Sequence, residues 1–233
     1  MVGGSWIALV AVSALTGCSL LDAASDTGAP AGAGDASTGD DGSGDAALPG
    51  CALIDDFEDG IAAAMWAPFD DDDAQVREAN GQLEVSFSGI TDSWAGYEMA
   101  SPIDLTRGEV RMTVNAPGGT YTGIEVCFDD MELELYAEDT ETLIGGVSGT
   151  PDSDDCDEIP FEPGVHQVWR IRTEAGIAYW EVSPYGGDWT VVHSQEVPFP
   201  LDAVTILVEA GGVDGDPTAT IESFAATPAD CAE

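Results

Sequence analysis

The residues of this chain that could do chemistry are mostly acids. Glu132, Glu134 and Glu138 fall in the stretch Glu132-Leu133-Glu134-Leu135-Tyr136-Ala137-Glu138. Cleaving a glycosidic bond takes two carboxyl groups that flank it, one held protonated and one ionised. Here the acids alternate with apolar residues, so Glu132 and Glu134 read as the solvated face of a strand. Acyl transfer would need a nucleophile, a base and an orienting acid. His166 and His193 are the only histidines that could act as base. No Gly-x-Ser-x-Gly turn accompanies them, and Gly146-Val147-Ser148-Gly149 falls short of one. His166 reads as a strand cap. Two histidines without a His-Glu-x-x-His motif also argue against a zinc enzyme. The residues therefore lead to an expectation of no catalytic site and no enzyme.

The oxygen-rich loops suit a hard cation better than a catalytic metal. Acids cluster at Asp55/Asp56/Glu58/Asp59, at Asp70 to Asp73, at Asp129/Asp130 and at Asp152/Asp154/Asp155/Asp157. None has the EF-hand spacing; counted from Asp55 as position 1, Phe57 occupies position 3, where an oxygen ligand is needed. The whole chain is acidic: 45 Asp and Glu face five arginines and no lysine, a formal net charge of −40. Such a surface repels nucleic acid and anionic membranes. Solubility, bound calcium and a cationic ligand are competing readings of the imbalance.

Three composition zones organise the chain. Trp6 to Leu15 is an apolar run of h-region length, too short to span a bilayer. Leu15-Thr16-Gly17-Cys18 closes it, and this quartet resembles the lipobox of bacterial lipoproteins. The resemblance implies a signal peptide over 1–17 and lipid on Cys18, which becomes the first residue of the mature chain. Two or three acyl chains give stable anchoring in a membrane. Ser19 in place of Asp implies the outer membrane, with the rest of the chain outside the cytoplasm. Residues 18–49 are rich in Gly, Ala, Ser and Asp and lack aromatics, so they read as a disordered linker. Residues 50–233 hold all five arginines and five of the six tryptophans, enough for one domain with its own core. With Cys18 set aside, Cys51, Cys127, Cys156 and Cys231 remain, and four cysteines allow three pairings. The expected pairs are Cys51–Cys231, which brackets the domain, and Cys127–Cys156, which brackets a short hairpin-like region. No Cys-x₂₋₄-Cys spacing favours zinc instead.

Period-two alternation dominates residues 50–233. It runs through Leu83–Phe87, Val110–Val114, Ile124–Phe128, Met131–Leu135, Trp169–Thr173, Ala178–Val182 and Val204–Val208, with a short set around Ile221. Pro117-Gly118-Gly119, Gly145-Gly146, Glu174-Ala175-Gly176 and Tyr185-Gly186-Gly187-Asp188 separate these runs with turn chemistry. One helical turn near Ile61 to Met65 is the only helix expected. Ten or more short strands with almost no helix predict an all-β, antiparallel two-sheet sandwich of jelly-roll form.

Three segments carry a second resemblance. They are His166-Gln167-Val168-Trp169-Arg170-Ile171-Arg172, Gly176 to Ser183, and Gly187-Asp188-Trp189-Thr190. Together they resemble a hairpin of bacterial concanavalin A-like lectin/glucanase domains. The start Ile54-Asp55-Asp56-Phe57-Glu58-Asp59-Gly60 fits the first strand of such a jelly roll, or of a galactose-binding-like one. The resemblance implies the fold and a tendency to bind carbohydrate. It also implies a structural Ca²⁺ near the first and last strands, which Asp55, Glu58 and Glu222 would hold. Glucanases of family 16 place their acids in Glu-x-Asp-x-x-Glu, and Glu138 stands one residue too far from Glu134 to complete that pattern. Trp169 and Trp180 read as core, Arg170 and Arg172 as cross-strand partners of Glu181, and Trp189 and Tyr185 as exposed aromatics for a ligand. The resulting expectation is a surface-tethered, non-catalytic lipoprotein that binds a glycan or another extracellular polymer. The alternatives are a structural or protein-interaction lipoprotein of the cell envelope and, third, a degenerate glycoside hydrolase.

Overall fold

The computed structural model describes residues 51–149 and 156–231. The signal segment, Cys18, the linker and the acids Asp152, Asp154 and Asp155 lie outside these residues. The described strands follow in chain order as β1 (Leu53–Asp55), β2 (Trp66–Asp70), β3 (Ala74–Ala79), β4 (Gln82–Phe87) and β5 (Ser93–Met99). Then come β6 (Glu109–Ala116), β7 (Tyr121–Phe128), β8 (Met131–Glu138), β9 (Thr142–Ser148) and β10 (Cys156–Pro160). The set ends with β11 (Val168–Glu174), β12 (Ile177–Ser183), β13 (Thr190–Glu196), β14 (Thr205–Gly212) and β15 (Ala219–Thr227). Ile61 to Met65 forms a loop, not the expected helical turn, and the only helix among the described residues is a 3₁₀ turn at Ala229–Cys231.

The strands form two sheets in which every pairing is antiparallel. Sheet A has the order β13-β12-β11-β6-β15-β4-β3, with β1 also paired to β15. Sheet B has the order β10-β9-β8-β7-β14-β5-β2. This is the antiparallel jelly-roll sandwich that the alternation predicts. Local turns follow from residue type: Asn80 and Gly81, at φ 59° and 73°, close the β3–β4 hairpin. Two consecutive left-handed residues match the twist of the strands that they join, and Asn-Gly adopts that conformation at little cost.

The inward faces interlock around aromatic and branched side chains. Trp169 and Trp180 are fully buried, together with Leu83, Met112, Ile124, Leu133, Leu135, Ile171 and Ile206. The Trp169 indole donates to the His166 carbonyl at 2.9 Å, which satisfies its polar edge. Trp66 packs edge-on against Phe224, with ring centroids 4.7 Å apart, and donates its indole N–H to Asp55 Oδ2 at 2.9 Å. These contacts tie the first strands to the last.

A disulfide joins Cys51 to Cys231 across 180 residues. The expected Cys127–Cys156 pair does not form, and Cys127 is a free cysteine. Cys127 sits on β7 and Cys156 on β10, three strands away in sheet B. At about 4.8 Å per strand, that separation is roughly 14 Å, about twice what a disulfide can bridge. Removing the Cys51–Cys231 bond should cost about 2–5 kcal/mol. A Cys51→Ala/Cys231→Ala variant is therefore expected to unfold at clearly lower denaturant than the parent, whereas Cys127→Ala is not.

Candidate functional site

The outward face of sheet B gathers the chemistry. On β7 the alternation sends Ile124 and Val126 into the core and turns Tyr121, Gly123, Glu125 and Cys127 outward. On β8 it buries Leu133 and Leu135 and turns out Glu132, Glu134 and Tyr136. β14 adds Glu209 and Gly211, and β5 adds Trp94 and Gly96. Tyr121, Tyr136 and Ile144 form a separate apolar cluster on this face, with Trp94 against it. The Tyr121 ring stacks on Tyr136 at 4.6 Å and meets Trp94 at 5.0 Å.

Register brings the acids together. Glu125 lies opposite Glu134 across β7 and β8. Cys127 lies opposite Glu132, which lies opposite Ser148 on β9. Glu209 lies opposite Gly123 on one side and Gly96 on the other. The Tyr121 hydroxyl donates to Glu125 Oε1 at 2.6 Å, and the Ser148 hydroxyl donates to Glu132 Oε2 at 2.9 Å. Glu125 also hydrogen-bonds Glu209, and Glu134 hydrogen-bonds Glu132. One donor atom each from Glu125, Cys127 and Glu132 falls within 4.8 Å of the others.

The solvated-face reading of Glu132 and Glu134 is corrected. Glu134 is 9% exposed, Glu125 7% and Glu209 8%, while Glu132 is half-buried. Burial and the charges of Glu209 and Glu132 hold Glu125 well above the usual carboxylate range, against the Tyr121 hydrogen bond. Burial, with Glu125 beside it, pushes Glu134 up to about 8. Burial lifts Glu209 to about 7, although its bond to Glu125 opposes this. Burial and the same carboxylates also push the Cys127 thiol up. A metal would have to displace the protons that burial keeps on Glu125 and Cys127.

No cation sits on this sheet. Arg77, Arg111, Arg170 and Arg172 belong to β3, β6 and β11, all in sheet A, and Arg107 lies in the loop that enters β6. The outer face of sheet A is a ladder of ion pairs, in which the buried Arg111 Nε is left without a hydrogen-bond partner. Arg170 bonds Glu181 at 2.7 Å and Glu109 at 3.2 Å, Arg111 also pairs with Glu109, and Arg172 reaches Glu181 at 3.3 Å and Glu174 at 3.0 Å. A cavity of about 360 Å³ lined by Arg107, Glu109, Arg172 and Thr227 belongs to this ladder and not to the carboxyl cluster.

The other expected residues lie elsewhere. Trp189 lies under the Arg170 guanidinium, 3.8 Å from its ring centroid, at the turn between β12 and β13. Tyr185, 69% exposed, sits in the same turn on the sheet A side. Neither joins the carboxyl cluster. The side-chain donor atoms of Asp55, Glu58 and Glu222 do not gather within 4.8 Å of one another; among the described residues the trio that does is Glu125, Cys127 and Glu132. The reason is local: Asp55 is engaged by the Trp66 indole and the Phe57 N–H. A register shift between Ile221 and Ser223 leaves Glu222 exposed while Ile221 and Phe224 face the core.

Sequence reasoning missed Glu125, Glu209, Tyr121 and Ser148. The available signal was a glutamate flanked at two-residue spacing by Gly123 and Cys127, a strand face with little apolar bulk.

No family sequence model matches the chain, and no curated protein matches it. Solved structures do. A non-specific endo-β-1,3(4)-glucanase of family GH16, SCLam, superposes with a TM-score of 0.57 at 12% identity, covering 77% of this chain and 92% of the other. The Crh5 transglycosylase in complex with NAG gives 0.59 at 15%, covering 80% and 87%. The exoplasmic/lumenal domain of VIP36, in a Ca²⁺/Man3GlcNAc-bound form, gives 0.52 at 11%, covering 70% and 83%. Glucanases from Pyrococcus furiosus and Bacillus licheniformis are among the further matches. The expectations of a non-catalytic binder and of no enzyme are overturned by the recurrence of GH16 glucanases and transglycosylases among these structures.

The raised carboxyls set a pH dependence. Their folded-state values exceed the unfolded value of 4.5, so the folded state binds more protons between the two. Stability is fully present below about pH 4.5 and falls as pH rises through about 7 for Glu209 and about 8 for Glu134. The melting temperature should drop by about 5 °C or more between pH 5 and pH 9. Glu134→Gln should flatten that profile in calorimetry. By these similarities the chain has the concanavalin A-like jelly-roll fold of the GH16 glucanases.

Proposed function

We propose that this chain is a glycoside hydrolase or transglycosylase acting on an extracellular polysaccharide. The observation that carries the reading is the approach of Glu125 and Glu132 within 4.8 Å on one face of sheet B. Carboxyl groups of retaining glycosidases stand about 5–5.5 Å apart. Glu125 keeps its proton by burial and is the acid. Glu132, the more exposed of the two, is the nucleophile, and the proton-bearing Glu134 bonded to it steadies its carboxylate. Glu125 gives its proton to the departing glycosidic oxygen while Glu132 attacks the anomeric carbon and forms a glycosyl ester. Glu125, now ionised, takes a proton from an incoming hydroxyl that displaces Glu132. Water at that step gives hydrolysis, and a sugar hydroxyl gives transfer. Trp94, beside the cluster, offers an apolar ring face to a sugar.

The substrates of the similar enzymes, β-1,3- and mixed-linkage β-glucans, define the first assays. Glu125→Gln and Glu132→Gln are expected to lower kcat/KM by about 10²–10⁴-fold with the fold retained by circular dichroism. If the wild-type chain releases no reducing ends and forms no transfer product from β-1,3-glucan, mixed-linkage glucan or chitin oligosaccharides, the reading fails.

We further propose that the sandwich over 50–233 is displayed from a membrane, the outer membrane by the residue after the cysteine. Lipid on Cys18 anchors it, and residues 18–49 act as the tether. The Leu15-Thr16-Gly17-Cys18 quartet supports this. Labelled palmitate should enter the wild-type chain in a bacterial host and not Cys18→Ala, which should leave the membrane fraction. Equal labelling of both chains would refute the anchor.

A further inference from the structure

Glu132 attacks as a carboxylate, and no arginine lies on its sheet to hold that charge in place. Hydrogen-bond donors must do so instead. The Tyr121 hydroxyl is committed to Glu125 Oε1 at 2.6 Å, and the Cys127 thiol points at Glu125 Oε2 at 3.8 Å. Ser148 supplies the donor for Glu132, 2.9 Å from its Oε2. A serine hydroxyl has one proton to give. Burial pushes the neighbouring Glu134 up to about 8, so at neutral pH it carries its own proton and leaves the serine's to Glu132. The chain around Ser148 sets its place. It is the last residue of β9 and the register partner of Glu132 on β8. Gly149 follows at φ 76°, in the left-handed region. A Cβ there would overlap the carbonyl oxygen of Asp130, in the two-residue turn from β7 to β8. Glycine therefore lets β9 end against that turn with Ser148 still opposite Glu132.

We propose that Ser148 is a positioning residue that fixes the rotation of the Glu132 carboxylate for attack on the anomeric carbon. The catalytic consequence rests on the hydrolase reading above; the hydrogen bond itself does not. The last torsion of a glutamate side chain is broad, so a carboxylate without a partner samples many rotations. Attack needs the one that aligns its oxygen with the reacting carbon. A bond from a strand residue, held by register and by the turn at Gly149, selects that rotation before substrate arrives.

The test compares Ser148→Ala and Ser148→Thr in the full chain. Infrared difference spectroscopy follows the carboxylate stretch that Glu132→Gln removes. Ser148→Ala takes away the donor, so that stretch should shift and broaden, whereas Ser148→Thr keeps the hydroxyl and should leave it near its wild-type position. On β-1,3-glucan, kcat should fall about 10–100-fold in Ser148→Ala, the worth of a hydrogen bond to a charged group, with KM nearly unchanged, and Ser148→Thr should restore most of the loss. Should Ser148→Ala not fold, Ser148→Cys, a weak donor of similar size, should move the stretch in the same direction. An unmoved stretch in the folded variant, or a loss of kcat that threonine fails to restore, overturns the proposal. A chain that neither cleaves nor transfers glycan, but whose stretch still moves, overturns the hydrolase reading and leaves the hold of Ser148 on Glu132 standing.

Discussion

The segregation of charge between the two sheets is the constraint on which the rest of this molecule turns. A chain with 45 acids and five arginines cannot neutralise both faces of a sandwich. Its arginines are all committed to the sheet A side, where Arg111, Arg170 and Arg172 interleave with Glu109, Glu174 and Glu181. Sheet B is left with Glu125, Glu132, Glu134 and Glu209 side by side and no counter-charge. For the buried Glu125, Glu134 and Glu209 the least costly resolution is to keep protons. A surplus of acid, which elsewhere only aids solubility, here brings Glu134 and Glu209 into the range around neutral pH.

The architecture was legible because it is local. Alternation in Leu83–Phe87, Ile124–Phe128 and Trp169–Thr173 marked strands, and the glycines of Glu174-Ala175-Gly176 and Tyr185-Gly186-Gly187 marked hairpins. Even Trp169 and Trp180 could be assigned to the core from the company they keep on their strands. The helical turn at Ile61 to Met65 was misread because its apolar residues fill a loop that packs on the core from outside the sheets.

The carboxyl cluster was not legible, and the reason is topological. β14 lies beside β7 although about 80 residues separate them, so nothing in the neighbourhood of Glu125 announces Glu209. A search along β8 for a row of acids finds Glu132 and Glu134 and then Tyr136, because β8 pairs in unbroken register with β7 and β9. The further acids arrive sideways, from the neighbouring strands. Spacing along one strand is visible in a sequence, whereas register across strands is not. The failed Cys127–Cys156 pairing has the same origin, since the two residues are near in sequence and three strands apart in the sheet.

The bond between Cys51 and Cys231 also fixes how this domain bears load. β1 follows Cys51 directly and pairs with β15, the strand that Cys231 follows. A pull arriving along the chain at residue 51 would otherwise peel β1 from β15 one hydrogen bond at a time. The disulfide diverts that pull covalently to the far end of the polypeptide, so the 180-residue span between the two cysteines is mechanically shielded. Force would be shared across β1 and β15 together, and the sheet that carries the carboxyl cluster would lie outside its path.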